Sequence, residues 1–153
     1  MKRGRRFLEE ATERGLAKKL FNGTWDLLGK KRRSRNEDDE MLHMAHASRY
    51  HWGVVGRPLN RSIAEWQLSR VYSELGRSEP ATFHGRRALE IAARSRLAPF
   101  YVAYGHEALA RAAAIRGDRT GRDSEIRRAR RFLPRIRGRD DRRMLEEDLD
   151  TIP

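Results

Sequence analysis

The sequence predicts an all-α fold of about seven helices, and three observations carry that expectation. Only 5 prolines and 12 glycines interrupt its 153 residues. Between these breakers apolar residues recur at spacings of three and four, the period of a helix with one buried face, and not at two. No alternating β-branched run of four or more residues supplies a strand signal.

The first helix is expected from about Arg5 to Leu28, and Asn22-Gly23 inside it leaves open one helix or two. Asn36 stands where it can cap the second. Glu37, Asp38 and Asp39 in its first turn suit the positive end of the helix dipole. That helix stops at Gly53 to Gly56, ahead of Pro58, and a third spans about Asn60 to Leu75, ending at Gly76. Ser78, with Pro80 just inside, begins a fourth that runs to about Ser95. After Ala98-Pro99 a fifth extends to Gly117, and the last two cover about Asp123 to Ile136 and Asp140 to Leu149.

A chain of this length forms about one domain and can bury a core without metals or disulfides. It has no cysteine, which excludes a disulfide framework and thiolate catalysis, fits a reducing cytoplasm, and leaves His, Asp and Glu as the only metal ligands. The first residues, MKRGRRFLEEATERG, are basic without an apolar segment. No run approaches the roughly 20 apolar residues of a membrane span, so a soluble, unprocessed, cytoplasmic chain without a membrane partner is expected. The formal charge of +12 would suit nucleic-acid phosphates. The excess of arginine, 29 against 5 lysines with acids interleaved, is equally what GC-rich coding produces. Two runs stand out, Lys30-Lys31-Arg32-Arg33-Ser34-Arg35 and Arg127-Arg128-Ala129-Arg130-Arg131.

An internal repeat organises the helices. A shift of 41 that sets Gly76 over Gly117 superposes Leu68 on Leu109, Ser69 on Ala110 and Ala88 on Ala129. Backwards, it puts Trp25 under Trp66, Leu27 under Leu68, His43 under His84 and Ala47 under Ala88. Three hairpins follow, at about residues 5–55, 60–95 and 99–136, with a capping helix at about 140–150.

The middle hairpin, SIAEWQLSRVYSELGRSEPATFHGRRALEIA, resembles a tetratricopeptide repeat: Leu68, Ser69, Tyr72, Gly76, Ala81 and Ala88-Leu89 fall at that family's intervals. The resemblance implies a right-handed stack of hairpins, an α-solenoid, in which small residues let paired helices approach. The third hairpin keeps Leu109, Ala110, Gly117-Asp118 and Ala129, but Arg122 replaces a small residue, which predicts a loosened or shifted turn at Arg119 to Arg122. More widely, FNGTWDLL, EDDEMLHMAHASRYHWG and EWQLSRVY resemble a bacterial group of tetratricopeptide-like proteins. That likeness implies a fold and carries no activity.

The second helix collects three histidines. On a helical wheel Met41, Met44, Ala45, Ser48, Trp52 and Val55 form its buried stripe, while Asp39, His43, His46 and Tyr50 gather opposite, with His51 on the border. Asp39, His43 and His46, with His84 as a remote member, could ligate a divalent metal or small ligand. The plainer expectation is histidines that hydrogen-bond between helices, with no cofactor. Nothing nearby supplies a nucleophile or oxyanion hole, so no enzyme activity is expected.

In a tetratricopeptide-like stack the first helices of the hairpins line a concave groove. The repeat frame then assigns Asn22, Trp25, Arg32 and Arg33 to it from the first hairpin, Ile63, Trp66, Arg70 and Glu74 from the second, and Tyr104, Glu107 and Arg111 from the third. Arginines beside aromatic rings suit an acidic or carboxylate-ended peptide. The leading expectation is therefore a protein-interaction scaffold that binds a partner protein or peptide, or a second copy of itself as a homodimer. Nucleic-acid binding through the arginine-rich helices is the alternative.

Overall fold

The computed structural model describes residues 8–153, and over them the chain is all-helical without a strand. Its helices are α1 (Glu10–Leu28), α2 (Arg35–Val55), α3 (Pro58–Glu74), α4 (Ser78–Arg94), α5 (Pro99–Ile115), α6 (Arg119–Arg130) and α7 (Arg139–Asp150), with a 3-10 turn at Leu133–Arg135. The expected start at Arg5 lies outside the described residues.

Several ends differ from expectation for reasons local to the chain. α1 runs unbroken through Asn22-Gly23, where the missing Cβ makes room for the Met44 side chain of α2. A mid-helix glycine costs about 1 kcal/mol relative to alanine, which close packing can offset. Ser34, not Asn36, caps α2: its hydroxyl accepts the Glu37 N–H at 3.2 Å, while the Glu37 carboxylate accepts the Ser34 N–H at 2.8 Å. α3 begins at Pro58 because proline at the first helical position loses only a hydrogen bond that no residue there makes.

The turn before α6 is tight, neither loosened nor shifted from its place in the repeat: Arg119 opens α6 as Ser78 opens α4. Asp118 Oδ1 accepts the Gly121 N–H at 2.8 Å, and the Arg122 N–H already bonds to the Asp118 carbonyl at 2.9 Å. α6 therefore starts at Arg119, four residues before the expected Asp123, and stops at Arg130, because Pro134 cannot continue the ladder and a 3-10 turn replaces it.

From α1 to α6 each helix packs on the next, and α3 also packs on α5 and α5 on α7, with a lighter contact between α1 and α3. The 41-residue shift is geometric: α3 and α5 begin at Pro58 and Pro99, α4 and α6 at Ser78 and Arg119. Small side chains mark the α3–α4 seam. Ser69 Oγ donates to the Ala81 carbonyl at 2.7 Å and Ser62 Oγ to the Ala88 carbonyl at 3.0 Å, with Ala81 and Ala88 buried. A β-carbon added at Gly105 would stand 2.8 Å from Leu89 Cα, so α4 and α5 meet almost backbone to backbone.

The buried apolar residues fall into patches that knit neighbours together. Met41 and Ala45 of α2 meet Leu68 and Val71 of α3; Ala103 and Tyr104 of α5 meet Ala129, Ile136, Leu145 and Leu149. Met41, Ala45, Ser48 and Trp52 are buried, as the helical wheel of α2 predicts. No described helix is long and apolar enough to cross a membrane.

Candidate functional site

One face of α1, α3, α5 and α7 carries a ladder of side chains at the repeat interval. Trp25 and Trp66 lie with ring centroids 5.3 Å apart, and Trp66 packs edge-on against Tyr104 at 5.2 Å. Trp66 Nε1 donates to Glu107 Oε2 at 3.1 Å, across the same 41 residues that separate Trp25 from Trp66. Arg111 Nε donates to Glu107 Oε1 at 2.8 Å, and the same guanidinium reaches the Asp148 carbonyl and Thr151 Oγ1, both at 2.9 Å. Tyr104 donates to Asp148 Oδ2 at 2.6 Å; burial first, then Asp148, push its hydroxyl above the ordinary tyrosine value. Arg70 lies 3.7 Å from Glu107 and 3.5 Å from Glu74.

The structure thus gathers seven expected groove residues, Trp25, Trp66, Arg70, Glu74, Tyr104, Glu107 and Arg111, but three of them are not open. Tyr104, Glu107 and Arg111 are 6%, 1% and 6% exposed: α7 lies across α5, Asp148 and Thr151 take the polar atoms of Tyr104 and Arg111, and Glu107 is enclosed by Trp66, Arg70 and Arg111. Arg33 is held by Asp38 at 2.7 Å and by the Leu27 carbonyl at 3.3 Å, and it meets the end of the ladder through Glu74, 4.0 Å away. Arg32 is exposed and takes no part in the ladder. The repeat frame assigned Trp25, Trp66 and Tyr104 to α1, α3 and α5, but Arg32 and Arg33 lie in the turn between α1 and α2, and the frame could not register that α7 would lie across α5.

What remains open is the α1–α3 end. Lys18, Phe21, Asn22, Trp52, Asn60 and Ile63 line a cleft of about 300 Å³ there. Asn22 and Ile63 are expected groove positions; each lies one turn before a ladder tryptophan, Trp25 or Trp66, on the same helix face. Lys18, Phe21 and Asn60 were missed, since only the crossing of two helices brings them together. Asn60 Oδ1 accepts the Arg57 N–H at 3.0 Å, which fixes its amide and leaves its NH2 group to donate. An amide matches a peptide group's donor and acceptor, an ammonium matches a carboxylate, and Phe21, Trp52 and Ile63 supply an apolar floor.

The histidines of the sequence mostly join helices. His46 of α2 shares a hydrogen bond with the Tyr72 hydroxyl of α3 at 2.8 Å, and its ring lies 5.6 Å from that of His84. Burial and the neighbouring His84 hold His46 below the usual imidazole value of 6.5. His84 Nδ1 donates to Glu65 Oε2 at 2.6 Å, while Arg49 Nε donates to Glu65 Oε1 at 2.6 Å. Burial alone would raise the Glu65 carboxyl, but these two donors outweigh it and hold it below 4.5. His51 pairs with the buried Glu13, and His106 with Glu125 at 2.6 Å. Asp39 and His43 stay exposed on the surface of α2. Among the described residues, no three His, Cys, Asp or Glu side chains are grouped to hold a metal ion, so the set Asp39, His43, His46 and His84 does not assemble as one.

The pairs Glu65–His84 and His106–Glu125 occupy equivalent places under the 41-residue shift with acid and base exchanged. Matching identical letters cannot detect that exchange; matching complementary charges could have.

Compared with family models, with curated proteins and with solved structures, the chain matches none of them.

Proposed function

We propose that this chain is a non-enzymatic interaction scaffold of tetratricopeptide-like form, a stack of helical hairpins that holds an acidic peptide segment of a partner protein in the α1–α3 cleft. The observation that carries this reading is the cleft itself: two amides and one ammonium around an apolar floor, with Asn22 and Ile63 one helical turn before the paired Trp25 and Trp66. The repeat interval shared by helix starts, turn glycines and ladder rungs supports the stacked-hairpin form. Its non-catalytic character rests on how the buried ionisable groups are used. Glu13, Glu65, Glu107 and Arg111 are each bonded to another residue of the fold.

All three tryptophans, Trp25, Trp52 and Trp66, lie in or beside the cleft, so bound peptide should change the intrinsic fluorescence. Titration with a library of short acidic peptides tests the reading. Saturable binding that weakens about tenfold in Lys18→Glu and in Ile63→Asp, a loss of about 1.4 kcal/mol, is the expected result. Binding unchanged in both variants, or no binding by any peptide, would refute it.

A further inference from the structure

One series of surface arginines is used differently from the arginines inside the fold. Arg33, Arg49, Arg70 and Arg111 are tied to carboxylates. On α4, α6 and the turns after them, Arg86, Arg87 and Arg94 are exposed, and 41 residues later stand Arg127, Arg128 and Arg135, exposed as well. Only Arg128 of these six forms an ion pair among the described residues, with Glu125. Arg96 and Arg137 continue the series, both exposed, and Arg96 holds its position at a φ of +51°, where a glycine would rest without strain.

Composition does not account for this register. Of the seven arginines between residues 58 and 98, five have an arginine 41 positions later; eleven arginines in the 41 positions from 99 to 139 would match about two of seven by chance. One of the five is the inner pair Arg70 and Arg111, and the other four are the surface series. GC-rich coding raises the number of arginines but does not phase them. In the run Arg127-Arg128-Ala129-Arg130-Arg131 all four arginines are exposed around a fully buried Ala129.

We propose that the exposed arginines of α4, α6 and their following turns form a binding face for the phosphate backbone of a nucleic acid. Guanidinium groups without internal carboxylates hold counterions that a polyphosphate displaces, and each planar fork can grip a phosphate through two N–H bonds. Arg87 lies over the Phe83 ring at 5.3 Å from its centroid, and Phe83 is 54% exposed, which adds a surface on which a base can stack. A lipid surface fits less well. The other large exposed apolar residues, Leu8, Tyr50 and Met144, lie outside these segments, so the face offers one ring to a bilayer interior. No base-reading element accompanies the array, and binding is therefore indifferent to sequence.

The test uses the whole chain and a short fluorescent oligonucleotide, single-stranded and as a duplex, followed by anisotropy across a salt series. Binding of either form with log K falling by about 0.7 to 0.9 per contacted phosphate in log salt is expected. The variant Arg86→Gln/Arg87→Gln/Arg94→Gln/Arg127→Gln should lower that slope by about 3 and weaken binding at least tenfold. A control removes four exposed cations elsewhere, Lys19→Gln/Lys31→Gln/Arg35→Gln/Arg57→Gln, and should lose far less. Circular dichroism verifies that both variants fold. Equal losses in the two variants, no binding at about 50 mM salt, equal competition by polyglutamate, or capture by phosphatidylserine vesicles without capture of oligonucleotide would each overturn the proposal.

Discussion

Replacing Glu107 with alanine should unfold this protein more readily than any other single carboxylate removal. Glu107 is 1% exposed and accepts from Trp66, from Arg111 at 2.8 Å, and lies within 3.7 Å of Arg70. Its loss leaves the buried Arg111 guanidinium facing a void, with only the Asp148 carbonyl and Thr151 Oγ1 as partners. Breaking a buried pair on one side costs about 3–5 kcal/mol, since the remaining charge keeps its desolvation without compensation. For a domain of this size that is a fall in Tm of about 6–20 °C. Thermal and urea unfolding followed by circular dichroism measure it. Trp66→Phe, which removes one neutral donor and keeps the ring packing, should cost only about 1 kcal/mol. The double variant Glu107→Leu/Arg111→Met should recover most of the single-variant loss, because a well-packed apolar pair replaces both charges. A Glu107→Ala loss below about 1 kcal/mol would show that Arg111 reaches water in solution and that the ladder is not a closed network.

Three further outcomes are expected. Glu65, held below 4.5 in the folded chain, stabilises the fold above that value, so stability should fall as pH drops below 4.5; Glu65→Gln, less stable at neutral pH, should show a flatter profile in this range. His46 is also held below its ordinary 6.5, so its contribution is present above 6.5 and is lost as pH falls toward its lower folded value; an NMR titration should find its midpoint below 6.5, and a midpoint above it would refute the burial argument. Arg96→Gly should raise stability by about 0.5–1 kcal/mol in urea unfolding, since relief of left-handed strain exceeds the added freedom of the unfolded glycine.

The helical class and most element positions were legible because the information is local: period, proline, glycine, and capping residues. The misreadings were local as well, and each had a visible signal. Ser34-x-x-Glu37 is a capping-box pattern that outranks Asn36, and Asp118 three residues before Gly121 is a cap for α6. The candidate site was legible only in part. Trp25, Trp66, Arg70 and Glu107 share a face because the repeat places them there, and the repeat is written in the sequence. Covering of Tyr104 and Arg111 by α7, and convergence of Lys18, Phe21 and Asn60 on one cleft, depend on how far helices from distant segments overlap. A helical wheel treats each helix alone and has no access to that overlap.

The exchange of acid and base between the second and third hairpins bears on folding fidelity. Neighbouring repeats of similar sequence can dock on the wrong partner, within one chain or between two, and such misassembly is a characteristic failure of repeat proteins. Here the seam of α3 with α4 carries Glu65 against His84, and that of α5 with α6 carries His106 against Glu125. Were α6 to take the place of α4 on α3, Glu125 would face Glu65; were α4 to take the place of α6 on α5, His84 would face His106. The native seams join opposites, whereas the exchanged ones would set carboxylate on carboxylate and imidazole on imidazole, which disfavours the wrong helix pairs.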